Sequence, residues 1–331
     1  MAWHVYLSAV VPRLVFIFHI LLAVSRVVLV NNDHMFWLLL LLTLPIFVEI
    51  IVTIHIQKGA EYKRFSPALF FYLINIIPPI WILEVYQLDE HLRSNECVSR
   101  NNSAGLYVSH QTGGQTIERN QNSSFPIKLV TFQNVDWILG LHQTLLIVLI
   151  IGKWILPLGI GVNRDQLSQL LLTFVGTAAD ILEFKSETQS EKGVRCCLEL
   201  VYAIMALWTW SMLQFPLDLA VPQKEDMDLQ HNPAWKAQLY KYSADLWSIS
   251  ISIFIQDGPF FAFRLYLMIG RKITHQMLLF FTIKNSLVLT LQIYRLVVIY
   301  LEIRQPWKSV DQLSNEAHVI PPPVEMDDIP E

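Results

Sequence analysis

Eight runs of about 18 or more largely apolar residues punctuate this chain, near 5–30, 36–56, 66–84, 135–158, 167–184, 198–221, 246–269 and 276–301. A run of that length and hydrophobicity folds stably only where its backbone polar groups are satisfied within the segment, which in lipid means a helix. The expected fold is therefore all-α, a polytopic transmembrane helical bundle of eight spans. Composition agrees, with 53% hydrophobic residues, 16% charged residues and a mean hydropathy of +0.40, a balance foreign to soluble domains of this size. The fifth run, 167–184, barely reaches the length required, and the seventh is interrupted by Gln256-Asp257-Gly258-Pro259. A re-entrant 167–184 would leave seven spans.

Trp37, Trp81, Trp137, Trp154 and Trp247 fall near the ends of these runs, where an amphipathic ring prefers the headgroup level. The net charge of -4 leaves no basic footprint for nucleic acid, so the expected partners are the lipid bilayer and other membrane proteins. Arg13 precedes an apolar stretch that continues through Val30. A retained first span is expected in preference to a signal peptide cleaved at Ala23-Val24-Ser25.

Both N-x-S/T sequons, at Asn101 and Asn122, lie in the long polar loop 85–134, which points to a glycosylated, luminal or extracellular segment. The N-terminus and the 57–65 loop, with Lys58, Lys63 and Arg64, would then be cytosolic, as the positive-inside rule requires. The expected organisation is three spans in 1–84, the outer loop 85–134, five spans in 135–302 and a disordered acidic cytosolic tail over 303–331. The tail holds Pro321-Pro322-Pro323 and few apolar anchors. A multi-pass protein of the secretory pathway or plasma membrane follows.

Basic residues occur on both sides of the later spans, Lys185, Lys192 and Arg195 among them, so charge bias does not orient the second half. Cysteine discriminates instead. With eight spans, Cys97 in the outer loop can bridge to Cys196 or Cys197; with seven, Cys196 and Cys197 are cytosolic and open to palmitoylation.

Ionisable groups at membrane depth cost about 2.5 to 3.5 kcal/mol at a helix centre on the insertion scale and so need partners. The deep acids are Glu49 and Asp257, and the deep bases and histidine are Arg13, His19, Lys153, Arg264, Lys284 and Arg295. A rise of about 1.5 Å per residue puts Arg13 and Glu49 at one level of an antiparallel hairpin, which predicts an ion pair. Asp257 and Lys284 lie at similar depths in the last two spans, and Asp257 and Arg264 share a helix face. Gly258-Pro259 after the acid predicts a kink with freed carbonyls near Ile253 to Ile255. His142 and Lys153 share a face of the fourth span, and Gly176-Thr177-Ala178-Ala179 suits close helix packing.

Zinc-protease, phosphate-loop and nucleophile-elbow motifs are absent from the sequence, so no catalytic residue, cofactor or metal is expected and an enzyme is disfavoured. The segments 140–144, 164–172, 176–184, 208–220 (Trp-Thr-Trp-Ser-Met-Leu-Gln-Phe-Pro-Leu-Asp-Leu-Ala) and 255–260 (Ile-Gln-Asp-Gly-Pro-Phe) resemble the transmembrane protein 26 family, over roughly residues 5 to 300. The resemblance implies a multi-pass membrane protein and carries over no catalytic or binding residue. Three functional readings remain: a scaffold or receptor-like protein, a small-solute or ion transporter or channel using a polar site around Asp257 and Lys284, and, last, a lipid-modifying enzyme.

Overall fold

The computed structural model describes residues 2–56, 65–93, 134–156, 164–217 and 234–317. Every regular element among them is helical, and eight helices are long and apolar enough to cross a membrane. The chain divides into two compact units, Met1–Ala220 with the first six spans and Val221–Glu331 with the last two.

In the first unit, span 1 (Ala2–Asn31) turns through Asn32 and Asp33 into span 2. Asn32 takes a positive φ of 53°, a conformation an Asn tolerates better than most residues. Asp33 then caps the next helix by accepting from the Met35 amide. Span 2 begins as a ten-residue 3-10 helix, His34–Thr43, and becomes α-helical at Leu44–His55, with Pro45 in the first turn, where its missing N–H costs nothing. Spans 3 to 6 are Pro67–Arg93, Asn134–Ile155, Arg164–Ser190 and Leu198–Met212, the last extended by a short turn at Gln214–Leu217. A one-turn helix, Lys192–Arg195, links spans 5 and 6.

The core of this unit is a set of stripes at helical spacing. On span 1 Phe16, Ile20, Ala23, Val24 and Val27 are buried, while Leu14, Phe18, Leu21, Leu22 and Leu29 are exposed on the lipid-facing side of the same helix. Leu69, Tyr72, Leu73, Ile76 and Ile80 of span 3 face inward in the same way. Span 3 packs on spans 1, 4 and 6, and span 5 packs on spans 4 and 6. The closest approach is at Gly152 of span 4, where an added Cβ would lie 2.8 Å from Phe16 Cζ and 3.0 Å from Leu69 Cδ2. Phe16 in turn stacks on Tyr72 at 4.5 Å between centroids.

In the second unit, span 7 is the sequence Ala234–Ile251, a π-helical turn Ser252–Asp257, and Gly258–Ile269. The reversal at 270–275 holds Lys272 at a φ of 53°, and span 8 is the first part of a helix running Gln276–Ala317. Span 8 packs on both halves of span 7.

Four expectations need correction. The fifth helix is continuous over Arg164–Ser190, so it extends past 167–184 at both ends, and Lys185 belongs to the helix rather than to a loop. The third helix runs on to Arg93, past the boundary at 84. The last helix continues to Ala317, past the tail boundary at 303. Trp81 lies midway along span 3 and donates to Thr209 Oγ1 at 2.8 Å while stacking near Tyr202; it is a packing residue. Asn101, Asn122 and Cys97 lie outside the described residues.

Candidate functional site

Polar side chains inside the spans gather at distinct places, and in the first unit each gathering joins three or more groups. Near the N-terminal end of span 1, Arg13 is 1% exposed and Glu49 of span 2 is 7% exposed. Arg13 Nε donates to Glu49 Oε2 at 2.7 Å and its Nη2 to Glu49 Oε1 at 2.5 Å, the two-pronged geometry that suits a guanidinium and a carboxylate. Thr53, one turn beyond Glu49, donates to the same carboxylate at 2.9 Å, and Arg13 Nη1 donates to the Ala9 carbonyl. The structure thus brings together the pair expected from helical rise.

One to two turns deeper, His19 joins spans 1, 3 and 4. Its Nδ1 lies 2.8 Å from the Tyr72 hydroxyl and its Nε2 2.9 Å from Thr144 Oγ1. Thr144 spends its own proton on the Gly140 carbonyl at 2.8 Å, so it accepts from His19. That places the imidazole proton on Nε2 and makes Nδ1 the acceptor for Tyr72.

The largest cluster sits at the other end of the unit, where spans 3 and 4 meet the long loop. Glu84 of span 3, His142 of span 4 and Lys185 of span 5 are 4%, 0% and 5% exposed. His142 Nε2 is 2.9 Å from Glu84 Oε1. Lys185 Nζ touches both Glu84 Oε1 and His142 Nε2, and Gln189, one turn on, donates to Glu84 Oε2 at 3.0 Å. Trp208 of span 6 meets the imidazole edge-on at 4.5 Å, with an interplanar angle of 80°. His142 Nδ1 is buried without a hydrogen-bond partner. Sequence reading placed Glu84 and Lys185 at span ends and missed this site. The available signal was spacing, because Lys185 and Gln189 are four apart and continue the inward stripe of Phe174, Ala178 and Ile181.

Lys153, in the last turn of span 4, is buried with its ammonium 4.9 Å from the centre of the Phe174 ring. It shares no cluster with His142. A Cβ on Gly176 would meet nothing within 4 Å among the described residues, while Thr177 and Ala178 beside it are buried, so the packed part of the small-residue patch is those two residues rather than the glycine.

In the second unit the break in span 7 is a π-turn. The Gly258 amide reaches back to the Ile253 carbonyl, five residues earlier, so one of the carbonyls expected to be freed is taken up by a wider helical turn. Pro259 cannot donate at all, and the extra residue of the π-turn shifts its position in the ladder. Asp257, 5% exposed, accepts from Ser252 Oγ at 2.8 Å and from Gln292 Nε2 of span 8 at 2.6 Å. Gln292 also donates to Ser252 Oγ at 3.0 Å. Arg264, 1% exposed, and Lys284 flank the Phe281 ring at 5.3 and 5.6 Å from its centroid. Arg295 reaches Asp245 at 3.1 Å near the surface. No group of three or more metal-ligating side chains occurs among the described residues.

Of the three cysteines, Cys196 is disulfide-bonded and Cys197 keeps its thiol, half-buried after the short helix. A family model described as transmembrane protein 26 matches residues 3–295, most of the chain. No solved structure matches.

Proposed function

The chain belongs to the transmembrane protein 26 family, and on that footing we propose that it is a non-enzymatic, receptor-like or scaffolding multi-pass protein. In this reading its internal charges hold the bundle together and its long loop meets partners. The N-terminus is cytosolic, the 85–134 loop is outside and glycosylated at Asn101 and Asn122, and Cys97 bridges to Cys196. Secretory-pathway membranes, the plasma membrane included, are the location, and other membrane proteins are the partners.

The observation that carries the reading is the internal matching of charge. Arg13 is met by Glu49, and Lys185 by Glu84, all nearly inaccessible. Such matching is what helix association in a low-dielectric medium requires of ionisable groups. Reconstitution in planar bilayers with sodium, potassium, chloride and a proton gradient tests it. The expected result is no protein-dependent current, with the exchange Arg13→Glu/Glu49→Arg retaining expression at the cell surface. A current abolished by Asp257→Asn would overturn it in favour of transport.

That second reading has its own observation. A π-turn at a buried acid, beside a proline-broken helix, is a common feature of functional positions in membrane helices. Asp257, with Ser252, Gln292 and the Arg264 and Lys284 cations of the same two spans, is where a solute or ion would be handled.

A further inference from the structure

Three ionisable groups and one proton acceptor too few make the cluster at Glu84 unlike the Arg13–Glu49 pair. Suppose the cluster holds a carboxylate, an ammonium and a neutral imidazole. Lys185 Nζ touches His142 Nε2, and an ammonium can only donate, so Nε2 must accept and the imidazole proton must sit on Nδ1. Nδ1 is buried and has no partner. A buried donor left unmade is costly. The other tautomer places its proton on Nε2, aimed at Glu84 Oε1, which lies 2.9 Å away. That proton then collides with the ammonium competing for the same oxygen. Neither neutral form of His142 satisfies every group.

We propose that Glu84, His142 and Lys185 form a proton-binding centre in which His142 takes up one proton and Lys185 moves aside. The proton comes from water at the loop end of the bundle and adds to the imidazole, with no other bond made or broken. The resulting imidazolium donates Nε2–H to Glu84. Lys185 is then a second cation against the same carboxylate oxygen, and its four-carbon stem lets the ammonium swing toward the end of its helix at Ser190, five residues on. Gln189, held by Glu84 Oε2, lies on that route. The charged groups facing His142 are Glu84 from span 3 and Lys185 from span 5; span 6 presents the uncharged Trp208 ring. Span 1 presents His19, which is engaged with Tyr72 and Thr144, and the Arg26 guanidinium, which lies 5.2 Å from the centre of the Trp137 ring of span 4. The centre goes beyond the scaffold reading by making one internal cluster responsive. It stands whichever side of the membrane the loop occupies.

Trp208 supplies the readout, because an imidazolium at van der Waals distance quenches indole emission. Full-length protein in nanodiscs is acidified from neutral pH, and the Trp208 contribution is taken as the difference from Trp208→Phe. A reversible drop in that contribution is expected, and it is lost in His142→Gln. Lys185→Met, which removes the competing cation, is expected to move the midpoint to higher pH by at least about one unit. Glu84→Gln moves it to lower pH by a similar amount. If Glu84→Gln fails to fold with its lysine stranded, Glu84→Gln/Lys185→Met removes both charges and keeps a titration between the two single-variant limits. No Trp208 change before circular dichroism shows loss of the fold would overturn the proposal. So would a change that survives His142→Gln, or a double variant with no titration.

Discussion

At the residue scale, Arg13 and Glu49 illustrate what a sequence can disclose about a membrane interior. Each is isolated in an apolar run, so neither has a local excuse for its charge, and the rise of a helix alone puts both at one level. The pair is buried, and two parallel hydrogen bonds join it. Removing one partner strands a desolvated charge, which costs about 3–5 kcal/mol, whereas removing both costs much less. Arg13→Gln and Glu49→Gln should therefore each lower the unfolding free energy in detergent by about that amount, and Arg13→Gln/Glu49→Gln should recover more than half of the sum. Additive losses in the double variant would mean that the two residues act separately. Glu84, His142 and Lys185 were less legible because hydropathy averages over a window. A charge within two turns of a span end reads as interfacial, and only packing on a third helix shows that Lys185 is 5% exposed. For Asp257 the sequence disclosed the depth and the broken helix, while its acceptance from Gln292 depended on the rotation of span 8, which no spacing within span 7 determines.

At the element scale, the interrupted span 7 and the tight packing of span 4 make opposite demands on glycine. Gly258 sits where the ladder widens, and a Cβ there would lie 2.5 Å from the Ile253 carbonyl oxygen, a backbone atom that cannot step aside. Gly258→Ala is expected to destabilise by about 1–3 kcal/mol, seen as a lower Tm in nanodiscs. Pro259→Ala restores a donor to the same turn and should stay within about 1 kcal/mol of the parent. Equal losses in the two variants would mean that the proline maintains the π-turn as much as the glycine does. Gly152 is limited by side chains instead. Its Cβ would meet Phe16 and Leu69, which can shift only by disturbing the Phe16–Tyr72 stack. Gly152→Ala should cost about 1–3 kcal/mol, and Phe16→Leu in the same chain should return part of it. Element boundaries were the least legible feature. Hydropathy stops at the last apolar residue, but hydrogen-bonded helix continues through polar ones, which is why spans 3, 5 and 8 run past their apolar limits.

At the scale of the whole molecule, the count of eight crossings rests on the fifth helix, and that helix is 27 residues long without interruption. Eight crossings put both ends of the chain on one side and the 191–197 segment on the side of the long loop. Cys196 and Cys197 lie in that segment, and Cys196 is disulfide-bonded, a state that persists in an oxidising compartment and is rare in the cytosol. A membrane-impermeant maleimide applied to intact cells should therefore reach Cys197 from outside. Mild reduction should expose further labelling at Cys196, and Cys97→Ser should expose that same labelling without reduction, since Cys196 then has lost its proposed partner. Asn101→Gln/Asn122→Gln, made in parallel, should remove the glycosidase-sensitive mass from the chain and leave the labelling pattern unchanged. Labelling of Cys196 and Cys197 only after the plasma membrane is permeabilised would place 191–197 in the cytosol. The fifth helix would then lie within the membrane without crossing it, and the end of the bundle that holds Glu84, His142 and Lys185 could no longer be one end.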